Sequence, residues 1–110
     1  MTLAELKEML SLKTVCGDAN EREFNTVYAG DLLSRAMSHV KADNLWITIM
    51  SNTNVIAVAS LTEASAVLLA EGVELLPEAL DAAKENAITV LSSDLTVYEL
   101  CAAIEKAVSA

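Results

Sequence analysis

Side chains suited to acid–base, nucleophilic or metal chemistry are few and scattered in this sequence. His39 is the only histidine, and Cys16 and Cys101 are the only cysteines. One imidazole cannot build a histidine-rich metal site, and a cysteine–histidine nucleophile would rest on His39 alone. The cysteine spacing matches no zinc or redox motif. His39 is expected at an exposed position near a helix end, where the helix dipole favours it. Cys101 is expected as a small core residue and Cys16 as partly exposed, with no basic neighbour to depress its pKa. Glu5, Glu8, Glu78, Asp81 and Glu85 fall on the polar faces of helical patterns, as solvated charge. Gly17, Gly30 and Gly72 are too few and too dispersed for a phosphate-cradling P-loop or a dinucleotide fingerprint. The expectation is a protein that is not an enzyme and carries no cofactor and no metal.

Two polar turns remain. Ser51, Asn52, Thr53 and Asn54 separate "ITIM" from "VIAVASL", and Ser92, Ser93, Asp94 and Thr96 follow "ITVL". In open α/β sheets ligands bind beside the carboxyl ends of strands, where helix N-termini present unpaired amides suited to anions. Every strand-to-helix unit also needs such residues simply as caps. The eight residues are therefore candidates for binding a small anionic metabolite or nucleotide, with capping alone as the other reading.

The elements around these turns follow from pattern. "TLAELKEMLSL" has a Thr2 cap, Glu5 three residues on, and Leu3, Leu6, Met9 and Leu10 at helical spacing, predicting a helix over about 2–11. Thr14, Val15 and Cys16 form a short β-prone piece; Gly17, Asp18 and Asn20 then favour a turn and a surface loop. "TVYAGDLLSRAMSHV" predicts a short strand into Gly30, with Asp31 as N-cap of a helix striped by Leu32, Leu33, Ala36, Met37 and Val40. "NLWITIM" is the clearest strand, apolar at nearly every position as expected when both faces are covered, so Trp46 belongs to the core or to a subunit contact. "VIAVASLTEA" is ambiguous, but Asn52 or Thr53 as a cap and a stripe of Val55, Val58, Ala59 and Thr62 favour helix.

"SAVLLAEG" reads as a buried strand ending at Gly72. "LPEALDAAKENA" reads as a helix with Pro77 in its first turn and Leu76, Ala79, Leu80 and Ala83 apolar. "ITVLSSD" is a third buried strand. "LTVYELCAAIEKAVSA" is a closing helix capped by Thr96, with Glu99 three residues on and Leu100, Cys101, Ile104 and Val108 facing inward. From residue 44 the order is β-α-β-α-β-α. That order predicts α/β class: one compact domain, 1–110, with a mainly parallel sheet, right-handed crossovers and helices packed on it.

Composition sets the outer bounds. The 110 residues are 54% hydrophobic but only 4% aromatic, which points to helices packed on a sheet through small and branched side chains. A net charge of −9 repels phosphate backbones and anionic lipid, so no nucleic acid and no membrane partner is expected. No apolar stretch reaches the roughly 20 residues of a membrane span, and no secretory signal is read at the N-terminus. The expected localisation is cytoplasmic.

"ADNLWITIMSNTNVIAVASLTEASAVLLAEG" and "ITVLSSDLTVYELCAAIEKA" together resemble the DRTGG domain, and "VYAGDLLSRAMSHV" resembles the segment after its naming motif. The resemblance covers about residues 13–108 and is closest to small stand-alone members labelled as relatives of HPr serine kinase. It implies an α/β fold, self-association as a homodimer, and a regulatory or ligand-sensing role, often beside CBS domains or within phosphate acetyltransferases. The naming motif maps onto "EREFNTV", with Glu21 as the acidic residue, Arg22 matching, and Thr26 and Val27 in place of paired glycines. Losing those glycines removes the freedom for positive φ and close ligand approach at that turn. The resemblance does not extend to a kinase, whose P-loop domain this chain lacks. The leading expectation is a regulatory, ligand-sensing module. The alternative is a structural subunit that docks on a protein partner in a larger complex.

Overall fold

The computed structural model describes residues 1–18 and 21–109. The expected turn residue Asn20 and the last residue, Ala110, lie outside them. The elements run α1 (Leu3–Leu10), β1 (Lys13–Cys16), β2 (Val27–Ala29), α2 (Leu33–His39), β3 (Leu45–Thr48), α3 (Thr53–Thr62), β4 (Ala66–Leu69), α4 (Pro77–Glu85), β5 (Val90–Ser92) and α5 (Val97–Val108).

The caps explain several of these boundaries. At α1 and α5, Thr2 and Thr96 each accept from the backbone N–H three residues on, while Glu5 and Glu99 reach back to the cap backbone N–H. Two otherwise orphan donors are satisfied at each end. Asn52 caps α3, its side-chain oxygen accepting from the Asn54 N–H at 3.1 Å. Pro77 opens α4, where its missing N–H costs nothing.

The five strands form one mixed sheet in the order β1-β5-β4-β3-β2. β2, β3, β4 and β5 are mutually parallel, and β1 joins β5 antiparallel. Each parallel crossover steps to the adjacent strand through a helix, so α2, α3 and α4 lie together on one face. There they bury Ala36, Val55, Ile56, Val58, Ala59, Ala79 and Ala83 against Trp46, Val67, Leu69 and Val90. Leu45, Ile47, Ala66, Leu68 and Leu91 point the other way, onto Leu3 and Leu6 of α1 and Leu100 and Ile104 of α5. All four residues of β3 and of β4 are buried, which is why those strands read as unbroken apolar runs rather than alternations. No helix among the described residues is long and apolar enough to cross a membrane.

Several local expectations are corrected. Asp31 caps no helix: α2 begins after Leu32, with no side-chain cap, and the Asp31 carboxylate instead accepts from the Thr48 hydroxyl and the Ile49 N–H. Cys16 is buried, because β1 pairs beside β5 and sets it opposite Val90 in the core under α2, α3 and α4, and Cys101 is half-buried at the margin of the α5 core. Met37, Leu76 and Val108 lie on helical stripes that run past the sheet, and all three are largely exposed. The loop before β2 is not merely surface: Phe24 is buried between α1 and α5, and Thr2 forms an isolated bridge with Glu23.

Candidate functional site

The carboxyl ends of β3 and β5 lie at the same end of the sheet with β4 between them, so the two polar turns share that end without touching through their own strands. The β4–α4 loop spans the gap. Its Leu76 N–H donates to the Ser51 carbonyl at 3.0 Å, its Glu71 N–H to Leu95 at 2.8 Å, and its Gly72 N–H to Ser93 at 2.9 Å. Loop 70–76 is thereby laced to both turns.

In the first turn, Ser51 is half-buried, Asn52 is the α3 cap, and Thr53 and Asn54 are exposed residues of the first helical turn. In the second, the Ser93 hydroxyl accepts from the Leu95 N–H at 3.1 Å, and Thr96 forms the α5 capping box. The backbone N–H of Thr96, and then its hydroxyl, hold the exposed Glu99 carboxylate below its ordinary value. Ser92 and Asp94 line a cavity of about 450 Å³ together with Lys13, Thr14 and Val15 of β1, residues 72–75 of the loop, and Leu80. Residues 51–54 are not part of that lining.

Loop 70–76 is shaped by backbone as much as by side chains. Gly72 has φ +69°, and a Cβ there would stand 3.1 Å from a carboxylate oxygen of Asp94. Glu71 also adopts positive φ, at 59°, which the interlaced hydrogen bonds hold in place. The cavity is lined by one residue with an ammonium, Lys13, two with carboxylates, Glu74 and Asp94, the hydroxyl-bearing Ser92, and the apolar Val15, Leu75 and Leu80. Such a lining matches a ligand with one anionic group and several hydroxyl or amino donors better than a bare anion.

Of the eight candidate residues, Ser92 and Asp94 line this cavity; Lys13 and the loop, which line it too, were not among the candidates. Lys13 reaches the site only because β1 runs antiparallel beside β5, a pairing made across most of the chain's length. The local signal for the loop was Gly72, read as a strand end only.

The segment that aligns with the naming motif is tied into the fold by Arg22. Arg22 forms an ion pair with Asp43 at 3.2 Å and donates to the Glu63 carbonyl at 3.2 Å, tying this segment to the turns before β3 and after α3. Thr26 and Val27 are absent from the positions with positive φ, and Val27 opens β2. Beside them a second cavity of about 480 Å³ runs between β2 and α5.

Comparison with known proteins places the chain in context. The family model described as the DRTGG domain matches residues 5–107. Among curated proteins none matches. A solved structure with the same fold is that of the CBS and DRTGG domains of the regulatory region of Clostridium perfringens pyrophosphatase, complexed with its activator, diadenosine tetraphosphate. It is 15% identical with a TM-score of 0.78, over 94% of this chain and 45% of that one. The chain thus spans less than half the length of that regulatory region.

Proposed function

This chain belongs to the DRTGG domain family, and from that membership we propose that it is a non-catalytic regulatory module that senses a small nucleotide-like metabolite at the carboxyl end of its parallel sheet. The observation that carries the reading is loop 70–76, hydrogen-bonded to both polar turns and walling the cavity that holds Lys13, Ser92 and Asp94. A ligand seated there would meet Lys13 with its phosphate, while Glu74 and Asp94 accept from ribose hydroxyls or a base amino group. Occupancy would be felt at the starts of α3 and α5 through the laced loop, which is how a small ligand can bias a larger assembly. The activator complex of the pyrophosphatase regulatory region supports a nucleotide as the ligand class.

Self-association as a homodimer is part of this reading. Leu32, Ile49 and Leu76, all exposed at the strand-end surface, supply apolar area for it. Light scattering on the eluting protein should then give about twice the 11.7 kDa chain mass; a monomer at all concentrations would remove this part.

The sensing role is tested by thermal shift with AMP, ATP, diadenosine tetraphosphate and acetyl phosphate. A true ligand at a hundredfold excess over Kd should stabilise by about 2.7 kcal/mol. Lys13→Glu and Asp94→Ala should abolish that shift while leaving the unliganded protein folded. Stabilisation by none of the compounds, or a shift indifferent to Lys13→Glu, would refute the site.

A further inference from the structure

We propose that the layer of α2, α3 and α4 is the surface on which a second copy of this chain docks, with the twofold axis running along α3 and α2 of each copy lying over α4 of the other. The docking rests on the self-association of the preceding reading and adds to it the face and the symmetry. α3 packs against α2 on one side and α4 on the other, so it is the middle of the layer. No charged residue lies between Asp43 and Glu63, and the exposed positions of α3 are Thr53, Asn54, Ala57, Ser60 and Leu61. Every other helix exposes at least one charged side chain. Two chains of −9 repel each other over most of their surface, and an uncharged seam is where they can touch.

The flanks of that seam differ in sign. α2 has no acidic residue and exposes Arg35 and His39, with Lys41 just beyond its end. α4 exposes Glu78, Asp81 and Glu85 against the single Lys84. A twofold axis running across α3 would set α2 over α2 and α4 over α4, like on like. An axis running along α3 sets α2 over the other copy's α4 at both edges, so that opposite signs meet twice.

The helix starts fit the same axis. α1, α3 and α5 have the polar caps Thr2, Asn52 and Thr96, whereas α2 and α4 begin at Leu32 and Leu76 with no side-chain cap. Both leucines are exposed, at 63% and 49%, and a polar residue at either place would serve its helix better. All three helices start beside the carboxyl ends of strands: the Asp31 carboxylate next to Leu32 accepts from the Ile49 N–H, and the Leu76 N–H donates to the Ser51 carbonyl. With the axis along α3, helix starts stay level across the interface. Leu32 of each copy then meets Leu76 of the other, and Arg35 comes between Glu78 and Asp81.

The test begins with the dimer dissociation constant of the full chain, from light scattering and sedimentation. Arg35→Glu should weaken the dimer at least tenfold. Arg35→Glu combined with Asp81→Arg, which restores opposite signs across the axis, should recover most of that loss, with circular dichroism of both variants matching the parent. Cross-linking reads the symmetry. On mild oxidation an equimolar mixture of Leu32→Cys and Leu76→Cys chains should form a disulfide-linked dimer, while Leu32→Cys alone and the parent, with its own Cys16 and Cys101, should not. No link in the mixture, a link from Leu32→Cys alone, or a dimer indifferent to Arg35→Glu overturns this docking and leaves self-association standing. A monomer at all concentrations overturns both and leaves nucleotide sensing, read by thermal shift at Lys13 and Asp94, untouched.

Discussion

Thr96 and Glu99 exchange two backbone-directed hydrogen bonds at the start of α5, and Thr2 and Glu5 do the same at α1. Thr96→Ala should cost about 1 kcal/mol, read as a lower midpoint in urea at unchanged slope. Both glutamates are held below their ordinary value in the folded chain, first by the threonine backbone N–H and then by its hydroxyl. Their contribution is therefore complete above the unfolded glutamate pKa of about 4.3 and fades as pH falls through the lower folded value. Thr96→Ala should flatten that acid-side decline in a pH series of urea melts; an unaltered profile would mean the decline comes from other carboxylates. Burial pushes the half-buried Cys101 thiol up, so it stays protonated at neutral pH. Iodoacetamide should label native Cys101 more slowly than the unfolded chain, and equal rates would contradict this placement.

At the scale of elements, loop 70–76 and the helix starts beside it concentrate the unusual choices. Gly72→Ala places a Cβ on a backbone at positive φ and against Asp94, and should destabilise by about 1–2 kcal/mol. In an Asp94→Ala background the steric part of that cost should vanish and the conformational part remain, so a cost that disappears entirely would mean φ had shifted. α4 starts at an exposed Leu76 with no side-chain cap, where serine or asparagine would serve the helix better. Leu76→Ser should raise the thermal midpoint by a few degrees and, if Leu76 contributes to self-association, weaken the dimer in the same sample. These elements also mark what could be read in advance. Capping residues and unbroken apolar runs act within a few residues, so Thr2, Asn52, Thr96 and the strands β3, β4 and β5 were legible. Asp31 was not: its local position suits a helix cap, but Thr48 and Ile49, brought beside it by β2–β3 pairing, claim its carboxylate instead. The placement of Lys13 beside Ser92 escaped for the same reason, since β1 pairs with β5 across most of the chain.

For the whole molecule, charge is the first-order property. With 16 acidic and 7 basic side chains on 110 residues, the folded state repels itself. Raising salt from about 0.01 M to 0.15 M shortens the screening length from about 30 Å to 8 Å, so the thermal midpoint should rise over that range. A midpoint that falls instead would show that ion pairs such as Arg22–Asp43 outweigh the general repulsion. The α/β class and a mainly parallel sheet followed from the alternation of elements, while the strand order β1-β5-β4-β3-β2 is seen only in the structure. What pattern alone did not give was the closure by β1, α1 and α5, since their packing joins opposite ends of the chain.

That closure brings Met1 and Val108 to the lining of one groove. The start of α1 and the end of α5 therefore lie beside one groove, the geometry that circular permutation and domain insertion exploit. Joining the two ends with a short Gly–Ser tether and reopening the backbone at the turn of Asn86 and Ala87 would leave every strand pairing in place. The same arrangement couples the two helices to the sheet: drawing α1 away from α5 would open the core that Leu3, Leu6, Leu100 and Ile104 share with Leu45, Ile47 and Leu91.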